Sequence, residues 1–138
     1  SHAIMKYLIA QAGGSSLYPN EPKQRAQVDR WLDWTHTRLN PPIELVAIQT
    51  MFMGEHADQA LIAAQRELTE KRLAVLETAL ERRLGIGQDI TIADFSLATT
   101  LALHEMCGGQ FIKYPALETW LRKIQARPSF AASAPKPS

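Results

Sequence analysis

Apolar positions along the chain recur at helical rather than strand spacing, and clear stops separate the segments. No run alternates with period two, and no Asn-Gly or Asp-Gly pair joins two such runs. The first segment, residues 2–12, places Ala3, Ile4, Tyr7, Leu8 and Ala12 on one side and ends at Gly13-Gly14-Ser15-Ser16. After Leu17-Tyr18-Pro19, Asn20 is the expected N-cap of a second helix. Glu21 is favoured in its first turn by the helix dipole, and Pro22 is tolerated there because its missing N–H has no helical partner. Val28, Trp31, Leu32, Thr35 and Leu39 follow at helical spacing until Asn40-Pro41-Pro42, where the helix is expected to stop or kink. Residues 43–52 are almost wholly apolar apart from Glu44 and Gln49, so this continuation is expected to be buried on most sides, with Gly54 closing it.

Residues 57–84 contain neither Pro nor Gly, and Leu61, Leu68, Leu73, Leu76, Leu80 and Leu84 trace one face of a rod of roughly 42 Å. The other face sets Arg66 with Glu70 and Glu67 with Lys71 at i,i+4, the pattern of a solvated surface. The most specific local signal is Ile90-Thr91-Ile92-Ala93-Asp94-Phe95. Thr91 and Asp94 are spaced as a reciprocal capping box, with Asp where Glu or Gln is usual, and Ile90 and Phe95 supply a hydrophobic staple. The run that follows is apolar or small all round as far as His104, which marks a central core helix against which the long rod is expected to pack. A last helix starts at Tyr114-Pro115, carries Leu117, Trp120, Leu121 and Ile124 as its apolar stripe, and stops at Pro128, with Phe130 expected to fold back on the core. The ending AASAPKPS has the composition of a loose tail.

With 138 residues, of which 46% are hydrophobic, the chain can hold a core without staples. The longest uncharged apolar runs, Leu45 to Gly54 and Phe95 to His104, are far shorter than the roughly 20 residues needed to cross a bilayer. Basic and acidic residues are interleaved, with a net charge of +1, so no positive stripe exists for nucleic acid. The single cysteine, Cys107, fits a reducing compartment, and a cytoplasmic location is expected.

Candidate chemistry is sparse. His2, His36, His56 and His104 lack metal-ligand spacing, and no nucleophile elbow, P-loop or dinucleotide fingerprint occurs. Cys107 follows the C-terminal end of the core helix, where the dipole disfavours a thiolate, so it reads as packed and inert. His36 and His104 read as core or boundary histidines. The residues by themselves reach an all-helical domain and name no reaction.

Taken in order, SHAIMKYL, LYPNEPKQRAQVDRWLDW, ITIADFSLA and YPALETWLRKIQARPSF resemble the C-terminal half of cytosolic-type glutathione transferases, particularly bacterial members, from Ser1 to about Phe130. The resemblance implies an all-α bundle of that family's C-terminal type, without the thioredoxin-like domain apart from its last helix. The implied divisions are that last helix at 1–12, a linker at 13–20, the helical domain at 21–131 and a tail at 132–138. Ile90, Thr91, Asp94 and Phe95 match the family's fold-determining cap and staple.

Ser1 resembles the serine of the Glu-Ser pair that binds the γ-glutamyl end of glutathione, which suggests a piece of a longer protein. Trp34, Thr35, Asn40, Met106 and Phe111 are the implied lining of the hydrophobic-substrate cleft. The catalytic group would belong to the thioredoxin-like domain, and glutathione would be the co-substrate of the parent enzyme, with no cofactor held by this chain. A homodimer is implied, as is a small hydrophobic electrophile as second substrate. The alternative is a non-catalytic interaction module of the same fold, as used in translation factors.

Overall fold

In the computed structural model, the described residues are 3, 6, 7 and 16–128, and they form five α-helices. These are α1 (Pro22–Trp34), α2 (Asn40–Phe52), α3 (Gln59–Glu81), α4 (Ile92–Met106) and α5 (Pro115–Gln125). A π-helical turn, Thr35–Leu39, joins α1 to α2, and a 3-10 turn, Gly54–His56, leads towards α3. The expected position of Phe130 and most of the expected first helix lie outside the described residues.

The helix starts follow local chemistry, with one correction. Glu21 rather than Asn20 caps α1: its carboxylate accepts the N–H groups of Lys23 at 3.0 Å and Gln24 at 2.8 Å. Asn20 instead accepts from Arg25. Asp58 caps α3 through the Leu61 N–H at 3.0 Å, so the rod expected over 57–84 is the 23-residue helix Gln59–Glu81. Leu84 lies beyond it and is exposed. The chain leaves α3 through Arg83 and Gly85, both at positive φ, which costs Gly85 nothing because it has no Cβ.

At Asn40-Pro41-Pro42 the helix does not stop; the interruption of its α-helical ladder is the π turn just before them. Proline lacks an N–H and its ring clashes with the carbonyl four residues back. Here the preceding turn widens, with the Asn40 N–H bonded to the Thr35 carbonyl five residues back, and α2 runs on. Burial of α2 is also one-sided: Pro42, Ile43, Val46 and Ala47 are buried. Ile48, Met51 and Phe52 are 47%, 50% and 79% exposed, so the largely apolar helix presents an exposed apolar face.

Helix α4 is central, packing against α1, α2, the π turn and α5. Leu97, Ala98 and Leu101 are fully buried on it, and each leucine contributes about 1.5–3 kcal/mol by leaving water. Helix α3 lies chiefly along α2 and α5, and its Leu73, Leu76 and Ala79 share one buried cluster with Leu97 and Leu101 of α4. The expected pair of Arg66 with Glu70 on α3 is replaced. Arg66 donates to the Cys107 carbonyl, and Glu70 accepts from the Tyr114 hydroxyl, so both tie α3 to the chain between α4 and α5. No helix among the described residues is long and apolar enough to cross a membrane.

Candidate functional site

The start of α4 is built as the sequence indicates, with an addition. The Thr91 hydroxyl accepts the Ala93 N–H at 3.2 Å, and the Asp94 carboxylate accepts the Thr91 N–H at 2.9 Å, completing a reciprocal box. Ile90 and Phe95 pack against the core on either side of it. Asp94 is buried, yet its second oxygen accepts the Trp120 indole N–H at 2.9 Å. Both oxygens therefore have donors, which is the condition for burying a carboxylate. The indole is too remote in sequence for the capping pattern to reveal it.

The π turn and the residues on either side of it carry three of the five cleft candidates. Thr35 is 1% exposed, and its hydroxyl donates to the Trp31 carbonyl at 2.7 Å, so it faces the core rather than a groove. Trp34 is half-buried, with Trp31 edge-on to it at 5.3 Å between ring centroids. Asn40 is half-buried and bridges elements: its amide N–H donates to Glu44, and its carbonyl oxygen accepts from Thr100 on α4 at 3.3 Å. The other two candidates lie at the far end of α4. Met106 is exposed, while Phe111 is buried against the His104 ring, 5.7 Å between centroids. The five side chains are thus not brought to one groove. Ser1 lies outside the described residues.

Two cavities open elsewhere on the bundle. One of about 730 Å³ lies between the entry to α1 and the loop before α4, with Gln24, Gln27, Gln88, Asp89 and Arg127 in its wall. The other, about 400 Å³, lies beside the end of α4 and is lined by Arg66, Glu70, His104, Gly109 and Lys113 among others. Burial, helped by the nearby Arg66 charge, holds the His104 pKa below its ordinary value. Burial and the hydrogen bond to Glu70 push the Tyr114 hydroxyl up to about 12. Neither cavity includes any of the five cleft candidates.

A central core helix started by the Thr91 and Asp94 box, with Ile90 and Phe95 beside it, is the feature that the family resemblance implies. The family described as "Glutathione S-transferase, C-terminal domain" matches residues 39–128. The chain belongs to this family. Glutathione S-transferase GstB of Escherichia coli K12 is 27% identical over 136 residues, covering 94% of this chain and 63% of GstB. The theta class glutathione S-transferase of Xanthomonas axonopodis pv. citri, solved with glutathione bound, superposes with a TM-score of 0.85 at 27% identity, covering 98% of this chain and 66% of that one. Elongation factor 1-gamma of Trypanosoma cruzi is 32% identical over 111 residues, 79% of this chain and 26% of that protein. The chain thus spans less than two thirds of the GstB length. As a glutathione S-transferase C-terminal domain, it has all-helical described residues, in keeping with the solved relative.

The features that sequence reading missed are long-range or one-sided. Besides Trp120, the buried Glu77 of α3 accepts the N–H groups of Ala116 and Leu117 at the start of α5. The exposed stripe of α2 was hidden within a run that is apolar on every face.

Proposed function

We propose that this chain is the helical part of a glutathione transferase that conjugates glutathione to small hydrophobic electrophiles. Its share is part of the wall of the hydrophobic-substrate cleft and part of a homodimer interface. The observation that carries this reading is the apolar face of α2, on which Ile48, Met51 and Phe52 stand in solvent next to Leu45 and Met53. A contiguous apolar surface on a water-soluble bundle marks a place where another surface fits. Of the cleft candidates, Trp34, Asn40 and Met106 have accessible surface and are assigned to the wall, whereas Thr35 and Phe111 support it from within.

The chemistry implied by the family is attack of the glutathione thiolate on the electrophile. A thioredoxin-like domain would lower the thiol pKa so that the nucleophile is present near neutral pH. This chain contributes position: an apolar wall desolvates the electrophile and holds it near the sulfur. Ser1 is assigned to the γ-glutamyl end of glutathione. The protein is assigned to the cytoplasm, in keeping with its single cysteine.

The test is conjugation of glutathione to a chromogenic aryl halide. The 138-residue chain alone should show only the uncatalysed rate, and turnover by it would overturn the assignment of catalysis to a separate domain. In parallel, the chain should self-associate, and the paired changes Ile48→Ser and Phe52→Ser should return it to a monomer. A monodisperse unaltered chain that binds no hydrophobic dye would remove the support from α2.

The similarity to Elongation factor 1-gamma favours a second reading, a non-catalytic interaction module. Under it the α2 face would take a different protein, and joining the chain to a thioredoxin-like domain would restore no conjugation.

A further inference from the structure

We propose that the cavity of about 400 Å³ beside the end of α4 is a binding site for a small organic carboxylate. Two cationic groups meet there. Arg66 reaches across from α3 and is held by one hydrogen bond to the Cys107 carbonyl, which leaves the rest of its guanidinium without a partner among the described residues. Lys113, from the loop before α5, has no anionic partner among the described residues. The one acidic group in the wall, Glu70, is engaged by the Tyr114 hydroxyl. The lining therefore carries a surplus positive charge that a single carboxylate would balance, and a guanidinium is matched to a carboxylate in shape as well as charge.

The decisive neighbour is His104. Its side chain lies in the wall, the residue is only 5% exposed, and its Nε2 is buried with no hydrogen-bond partner. A buried polar atom without a partner is costly, and a carboxylate oxygen would accept from it if that nitrogen carries the proton. Burial keeps the imidazole neutral, so it would serve as a directional donor while Arg66 and Lys113 supply the charge. Gly109 is what admits the ring to this position: a Cβ there would lie 2.2 Å from Nε2. Beside these polar groups Ile112 contributes an apolar edge and is largely in solvent, which fits a ligand with a short hydrocarbon tail rather than a bare inorganic ion. The site is separate from the α2 face and does not depend on the transferase assignment.

The probe is hexanoate, titrated into the full chain while the His104 ring and Lys113 side-chain signals are followed by NMR, with inorganic phosphate at matched ionic strength as the comparison. Saturable shifts of both signals are expected, with phosphate binding more weakly. Lys113→Met alters an exposed residue that the fold does not use and should weaken hexanoate about tenfold, or about 1.4 kcal/mol. Arg66→Met should weaken it at least as much. The proposal is overturned if the shifts do not saturate, if Lys113→Met leaves the affinity unchanged, or if inorganic phosphate binds more tightly than hexanoate.

Discussion

The carboxylate of Glu77, about one turn from the C-terminal end of α3, accepts the backbone N–H groups of Leu117 at 2.7 Å and Ala116 at 3.0 Å, so a buried side chain of one helix caps the start of another. Helix α5 begins with Pro115 and has no capping side chain of its own. Its first free N–H groups are satisfied across the bundle, and the negative charge sits at the positive end of the helix dipole.

Glu77→Ala should therefore do more than loosen α3. Hydrogen bonds to charged groups contribute about 1.5–3 kcal/mol, and here two donors would be stranded at a buried site. The unfolding free energy from urea melts should fall by at least that amount, as a lower midpoint at unchanged slope, and Glu77→Gln, which keeps one acceptor oxygen, should recover part of the loss. A midpoint for Glu77→Ala within error of the parent would show that α5 finds another cap.

Around Asp94, three residues act as one unit. Thr91→Ala should cost roughly 0.5–2 kcal/mol as a lost cap. Asp94→Ala should cost more, because it also leaves the Trp120 indole N–H without an acceptor. Trp120→Phe in the Asp94→Ala background should cost less than Trp120→Phe alone, since the bond it removes is already gone. Strictly additive effects in denaturant melts would mean that the indole contributes packing only.

Two buried groups set opposite pH limits. The folded His104 pKa lies below its ordinary 6.5, chiefly through burial, so on acidification the unfolded chain takes up a proton first. Stability should then fall as pH drops below about 6.5, until the folded imidazole itself protonates. Tyr114 is raised from 10.0 to about 12, so between those values the unfolded chain loses a proton that the folded chain keeps, and stability falls as pH rises. His104→Gln should flatten the acid slope and Tyr114→Phe the alkaline one, read as denaturant midpoints across pH. If each variant keeps the parent slope, other groups carry the dependence.

Gly109→Ala is expected to be disproportionately damaging for a single methyl group. The added Cβ would overlap His104 Nε2, whose ring is buried against Phe111 and has little room to retreat. Overpacking of this kind costs about 1–3 kcal/mol. Thermal melts should show the loss, and because Gly109 is not at positive φ the loss reports the overlap alone, whereas Gly108→Ala, whose Cβ would meet only the end of the Arg66 side chain at 3.8 Å, would report the penalty of a positive φ.

What could be read in the sequence was what is local. The box of Thr91 and Asp94 spans three residues and the staple six, so adjacency alone announced the start of the core helix. Trp120 lies 26 residues from Asp94, and Glu77 is 40 from Leu117; a Glu on an amphipathic helix reads as solvated until the fold brings amides to it. The proline pair marked where the α-helical ladder is interrupted but not how, since a widened turn lets the chain stay helical past it. The burial of Thr35 and Phe111 was hidden for a related reason: helical register names a face but does not say whether another element already covers it.

The π turn also fixes which surface the molecule shows to others. A turn closed by a bond to the fifth residue back contains one residue more than an α-helical turn, and each residue rotates a helix by about 100°. Helix α2 is thus phased differently from a plain continuation of α1. Run on as a plain α-helix, the same residues would carry Ile48 and Phe52 about 100° round from where they stand, whereas deleting one residue within 35–39 would restore the ordinary ladder and leave their facing as it is. The widened turn thus takes up one surplus residue locally and works as the clutch that keeps this apolar row, rather than another, offered to a neighbour.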